Sequence, residues 1–162
     1  MKLWEHFDKN EWFIIVMIIT STFIIYKLPK RLPTSILIIS LTWGFAASLF
    51  WDFTIGGGVF NYYKVNDSEQ YCLFDLFSYL MFAPFGYLFI YFYETLCITS
   101  RTLIFYILSW TVISVVLEWV SVIFGVFQYE NGYKIIYSIP IYLTTQTITA
   151  LYYELLKRKS KF

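Results

Sequence analysis

Uncharged apolar stretches recur along the chain at 12–26, 32–51, 76–93, 102–117 and 135–153. Each approaches the roughly 20 apolar residues that an α-helix needs to cross the hydrocarbon core of a bilayer. A water-soluble domain of 162 residues has no interior large enough to hide them all. Composition agrees: 59% of residues are hydrophobic and 14% are charged, where a soluble domain carries about a quarter charged. The expected fold is all-α, a polytopic bundle of five transmembrane helices. It forms one membrane domain over 1–162, with spans near 12–28, 32–52, 73–94, 102–124 and 135–156. Four spans and one interfacial helix is the alternative if the first run is too short. The N-terminus does not read as a cleaved leader. Lys2 and Lys9 are offset by Glu5, Asp8 and Glu11, and the run ends in Lys27-Leu28-Pro29-Lys30 without a small-residue cleavage pattern.

Lys and Arg concentrate on the cytoplasmic side of membrane proteins, so their distribution sets the orientation. With the N-terminus outside, Lys27, Lys30, Arg31, Arg101, Lys157, Arg158, Lys159 and Lys161 are cytoplasmic, and Lys2, Lys9, Lys64 and Lys134 are external. The opposite orientation reverses that ratio. The expectation is a multi-pass protein of the cell membrane with an external N-terminus and a cytoplasmic C-terminus. Glu94 and Glu154 then lie at cytoplasmic helix ends near Arg101 and Lys157, where exposed ion pairs contribute little.

Two external segments echo one another. Trp51-Asp52-Phe53 is followed by Gly58-Val59-Phe60-Asn61-Tyr62, and Leu117-Glu118-Trp119 by Gly125-Val126-Phe127-Gln128-Tyr129. Both copies follow a helix running outward. The echo fits a parallel repeat of a two-helix unit, spans two–three and four–five. Separate recruitment of glycine and aromatics to a membrane interface explains it equally. Pro84 and Pro140 fall within the third and fifth spans, where an interior proline frees a carbonyl and bends the axis.

Polar side chains are costly in lipid and face the bundle interior. Ser40, Gly44, Ser48 and Asp52 recur every four residues, forming one stripe on the second span. Small residues at this spacing let helix backbones approach closely. Thr111, Ser114, Glu118, Ser121 and Gly125 trace a comparable face on the fourth span, Asp75, Ser78, Tyr79, Phe82 and Gly86 on the third, and Tyr142, Gln146, Thr149 and Tyr153 on the fifth. Packing seams account for the small residues. The acids Asp52, Asp75 and Glu118 ask for more, because no Lys or Arg lies within the apolar stretches to pair with them. Asp75 suits a helix N-terminus, where the dipole favours a negative charge. Asp52 suits a hydrated interface, and Glu118 a structural hydrogen bond. The sharper reading is an external pocket in which all three converge, walled by aromatics including Tyr62, Tyr79 and Tyr129 and suited to a cation or an amine.

Several chemistries lack their residues. Gly56-Gly57-Gly58 has no following Lys and Ser/Thr to cradle a phosphate, and reads as a turn. One histidine, His6, and two distant cysteines, Cys72 and Cys97, provide neither a metal cluster nor a disulfide framework. No catalytic residue, metal or cofactor is expected. A net charge of +1 points away from nucleic acid. The basic run Lys157–Lys161 reads as a topology signal with incidental contact to anionic lipid.

The layout resembles an uncharacterised family of small five-helix membrane proteins from spore-forming, low-GC Gram-positive bacteria. Phe74-Asp75-Leu76, Pro84, Leu117-Glu118-Trp119 and the stretch from Gly125-Val126 to Tyr129-Glu130-Asn131-Gly132 carry the likeness, over most of 12–157. The resemblance implies a five-helix fold in a bacterial cell membrane and brings no activity. The leading expectation is a non-enzymatic binding or accessory component, with the lipid bilayer and other membrane proteins as partners. A solute- or cation-binding transport subunit using Asp52, Asp75 and Glu118 is the alternative. An intramembrane carboxylate-dependent enzyme is a third.

Overall fold

The computed structural model describes residues 7–66 and 73–160; Lys2, His6, Cys72 and Lys161 lie outside them. Helix α1 spans Lys9–Lys27, α2 Thr34–Thr54, α3 Leu73–Leu80, α4 Ala83–Thr95, α5 Leu103–Ile123 and α6 Ser138–Ser160. Strands β1 (Tyr63–Val65) and β2 (Phe127–Tyr129) form a two-stranded antiparallel sheet, and a 3₁₀ turn at Ile135–Tyr137 leads into α6. The α1–α2 and α4–α5 connections and the end of α6 gather at one end of the bundle, which carries most of the basic residues. The sheet and the starts of α1, α3 and α6 occupy the other. An apolar cluster packs near the basic end around Ile36, Phe89, Ile90 and Trp110, and a second near the sheet end around Ile14, Met81 and Val126.

The pattern is apolar outside and polar inside. Phe105, Val112 and Trp119 of α5 face outward, while Thr111, Glu118 and Ser121 of the same helix are buried. Four helical segments, Lys9–Lys27, Thr34–Thr54, Leu73–Thr95 and Leu103–Ile123, are long and apolar enough to cross a membrane, which fits a membrane protein. The first run, suspected of being too short, is among them. Helix α6 is as long, at 23 residues. Its run of Thr144, Thr145, Gln146, Thr147 and Thr149 makes it more polar.

Those polar groups join helices. Trp43 Nε1 donates to Thr149 Oγ1 and Trp51 Nε1 to Thr145 Oγ1, each at 2.7 Å, tying α2 to α6. Thr111 Oγ1 donates to Gln146 Oε1 at 2.7 Å, and Gln146 Nε2 to Ser114 Oγ at 3.0 Å, tying α5 to α6. Lys157 Nζ bonds Glu94 at 2.6 Å and Tyr93 Oη donates to Glu154 at 2.9 Å, joining α6 to α4 at the basic end. Both glutamates are thus engaged with neighbouring helices.

The small-residue stripe of α2 packs on the α3–α4 segment. A methyl group at Gly44 would approach the Ala83 carbonyl to 2.8 Å, and one at Gly86 would strike the Ser40 carbonyl. The third span is broken at Met81–Phe82. Pro84 therefore sits in the first turn of α4, where its missing N–H costs no intrahelical bond. Ser48 Oγ reaches across from α2 and donates to the Tyr79 carbonyl at this break, at 3.2 Å. Pro140 likewise lies in the first turn of α6. The expected interior kinks are helix starts.

The Gly-Val-Phe echo takes two backbone forms. Gly125 ends α5 with φ +80° and a pair of closing bonds, Val126 N–H to Ser121 O at 2.9 Å and Gly125 N–H to Val122 O at 3.0 Å. This reversal buries Val126 and starts β2. In the first copy Gly58–Phe60 is a turn, and the strand begins only at Tyr63.

Candidate functional site

Helices α2, α4, α5 and α6 leave a cavity of about 170 Å³ between them, room for on the order of ten water-sized molecules. Trp43, Gly44, Ala47, Ser48 and Trp51 line it from α2, and Phe85, Gly86 and Phe89 from α4. Trp110 and Ser114 contribute from α5, and Tyr142, Thr145 and Gln146 from α6. At the sheet end Tyr63, Val65 and Phe127 close it. Side chains alternate along a strand, which turns Tyr63 and Val65 inward and leaves Lys64 to pair with Glu130 at 2.9 Å.

Two carboxyl groups line this cavity, Asp52 and Glu118. Asp52 sits in the last turn of α2 and is 3% exposed; Glu118 sits in the last third of α5 and is 6% exposed. Each is held by one oxygen. Tyr79 Oη donates to Asp52 Oδ2 at 2.6 Å. Tyr129 Oη and Ser138 Oγ both donate to Glu118 Oε1 at 2.7 Å. Tyr142 also faces the Glu118 carboxyl. Asp52 Oδ1 and Glu118 Oε2 are buried without a hydrogen-bond partner. Among the described residues no Lys, Arg or His lines the cavity. Buried polar atoms are nearly always paired, and an orphaned carboxylate oxygen costs more than a neutral one. Both carboxyl groups that line this cavity therefore keep one buried oxygen without a donor.

A turn at Asn131-Gly132, with φ +49° and +77°, swings the chain after β2 back toward this network. It delivers Tyr133, whose hydroxyl shares a 2.9 Å hydrogen bond with Ser138 Oγ. The phenol of Tyr129 is held well above the ordinary tyrosine range, first by burial, then by its hydrogen bond to Glu118 and that group's charge. Tyr133 is also raised, chiefly by burial. Both therefore stay protonated at neutral pH, and Tyr129 keeps its proton to donate to Glu118.

The expected set of six does not assemble as a whole. Asp52, Glu118 and Tyr79 line the cavity. Asp75 does not. It is buried in the first turn of α3, near enough to Asp52 for their charges to interact, and accepts a 2.8 Å hydrogen bond from Asn66 Nδ2. The break after Leu80 sets this short helix apart from α4 and aims Asp75 at the end of β1. Tyr129 supports Glu118 from behind. Tyr62 lies outside the cavity, stacked on Phe60 and Tyr133 with ring centroids 5.8 Å away in each case. Ser138 and Tyr133 escaped the sequence reading because they act through a turn. Trp43 and Trp51 escaped because their indoles bond threonines on α6. The small-residue stripe placed Asp52, and the i, i+4 polar face placed Glu118. Among the described residues no group of three or more His, Cys, Asp or Glu side chains is placed to hold a metal. Comparisons of the chain with protein-family models, curated proteins and solved structures return no match.

Proposed function

We propose that the protein is a five-span membrane protein that binds a small organic cation in the cavity between α2, α4, α5 and α6. One observation carries this reading: Asp52 and Glu118 line the same cavity, each keeps one buried carboxyl oxygen without a hydrogen-bond partner, and among the described residues no Lys, Arg or His lines that cavity. A positive charge in this cavity offsets the buried carboxyl groups, and a lining that includes Trp43, Trp51, Trp110 and Phe85 suits an alkylammonium better than a hydrated metal ion. This supports the cation-binding alternative over a purely accessory role. It is the binding step a transport subunit requires.

The fifth span is α6. It runs from Ser138, bonded to Glu118, to Lys157, bonded to Glu94 at the opposite end, so its length matches that of its neighbours. With the basic end in the cytoplasm, the sheet and both acids lie toward the outside.

A charge-selectivity titration tests the proposal. In lipid nanodiscs, propylammonium should saturably change the fluorescence of the cavity tryptophans, and neutral 1-propanol at the same concentrations should not. Equal responses to the two would refute cation binding.

A further inference from the structure

A second recess adjoins the acidic cavity. It measures about 680 Å³ and lies between the end of α2 and the start of α6. Ile55, Tyr62, Tyr137 and Pro140 line it but not the inner cavity, while Trp51, Tyr133 and Ile141 belong to both walls. The two spaces are therefore neighbours across a shared aromatic partition. The inner one is lined by Asp52 and Glu118, whereas among the described residues the lining of the outer one has no Asp, Glu, Lys or Arg. Tyr137 and Tyr62 on its wall are 51% and 38% exposed, so the outer recess is open at the sheet end. Trp and Tyr at that level are the side chains that settle at a membrane–water interface.

We infer that the ligand is an amphipathic amine, bound with its ammonium group between Asp52 and Glu118 and its apolar body across Trp51, Tyr133 and Ile141 into the outer recess. This rests on the cation-binding reading and names the ligand class within it. A bare cation would use only the inner cavity. An alkyl chain attached to the ammonium would pass between the side chains shared by both walls, Trp51, Tyr133 and Ile141, into a recess at the level where amphipathic molecules concentrate in a bilayer. Tyr133 marks the crossing point, since its hydroxyl joins Ser138 and through it Glu118, while its ring faces Tyr62 in the outer recess.

The test is calorimetric, on the full chain in nanodiscs, with methyl-, propyl-, hexyl- and nonylammonium. An Asp52→Asn/Glu118→Gln double variant subtracts partition into lipid. Affinity should rise up to about fourfold per added methylene, the transfer gain of a buried CH₂, and level off once the recess is full. Ile55→Trp, which takes up part of the outer recess, should reduce that rise for the longer chains and leave methylammonium binding within about twofold. Tyr137→Ala, which enlarges it, should move the plateau to longer chains. If methylammonium binds but affinity is flat with chain length, or rises identically in both variants, the amphipathic ligand is refuted and cation binding stands. If no ammonium binds beyond the double variant's background, both readings fall.

Discussion

The side chains with most at stake are those holding the acids. Tyr79 is the donor to Asp52 Oδ2, and Asp52 Oδ1 already lacks a partner. Tyr79→Phe therefore strips that carboxyl of its phenolic donor. Hydrogen bonds to charged groups are worth roughly 1.5–3 kcal/mol, and a loss of that size should appear in denaturant unfolding of the purified protein. A change under about 0.5 kcal/mol would contradict the Tyr79–Asp52 contact. Tyr129 gives a pH prediction. Its pKa in the folded protein is raised above the unfolded value, which is about 10. Its stabilisation is thus full below about pH 10 and is lost as pH climbs past that value toward the folded pKa. In an absorbance titration, Tyr129→Phe should remove no phenolate signal below about pH 10. A phenolate lost from the pH 8–9 range would show that the phenol is not buried against Glu118.

At the scale of elements, the closest approach is between α2 and the α3–α4 segment. Leucine in place of Gly86 meets the Ser40 backbone, which cannot swing aside as a side chain would. Gly86→Leu should abolish the folded, monodisperse protein in size-exclusion chromatography, whereas Phe105→Leu on the outward face of α5 should leave the profile unchanged. A wild-type profile for Gly86→Leu would refute the crossing. Thr145→Val deletes the acceptor of the Trp51 indole and should cost about 0.6–2 kcal/mol, the range for hydrogen bonds between membrane helices. Much of this level is legible in the sequence. Four-residue spacing of Ser40, Gly44, Ser48 and Asp52 defines the seam of α2, and the three- and four-residue steps from Thr111 to Ser121 define that of α5. The break at Met81–Phe82 is hidden because a helix start with Pro84 in its first turn and a kink at Pro84 look alike in one dimension. The pairing of β1 with β2 is hidden as well: each strand is three residues long, and their contact joins segments on either side of three helices.

For the molecule as a whole, apolar runs and basic clusters translate directly into long helices and a basic end, since the bilayer constrains length and charge together. Which acids meet is a different matter, because it depends on how helices rotate and where one of them breaks. Asp52 and Glu118 line one cavity, while the broken third span turns Asp75 toward Asn66. The orientation is checked with reporter fusions: a reporter after Lys159 should be active only in the cytoplasm and one before Asp8 only outside, and the reverse pattern would invert the topology. The central claim is that the two unpartnered carboxyl oxygens make one cation site. Its most direct test is calorimetric titration of propylammonium into the nanodisc-embedded protein and its Asp52→Asn and Glu118→Gln variants. Each variant should retain the wild-type elution profile and bind roughly tenfold to a hundredfold more weakly, as expected for loss of one charged, buried contact. Wild-type affinity in both folded variants would contradict the claim.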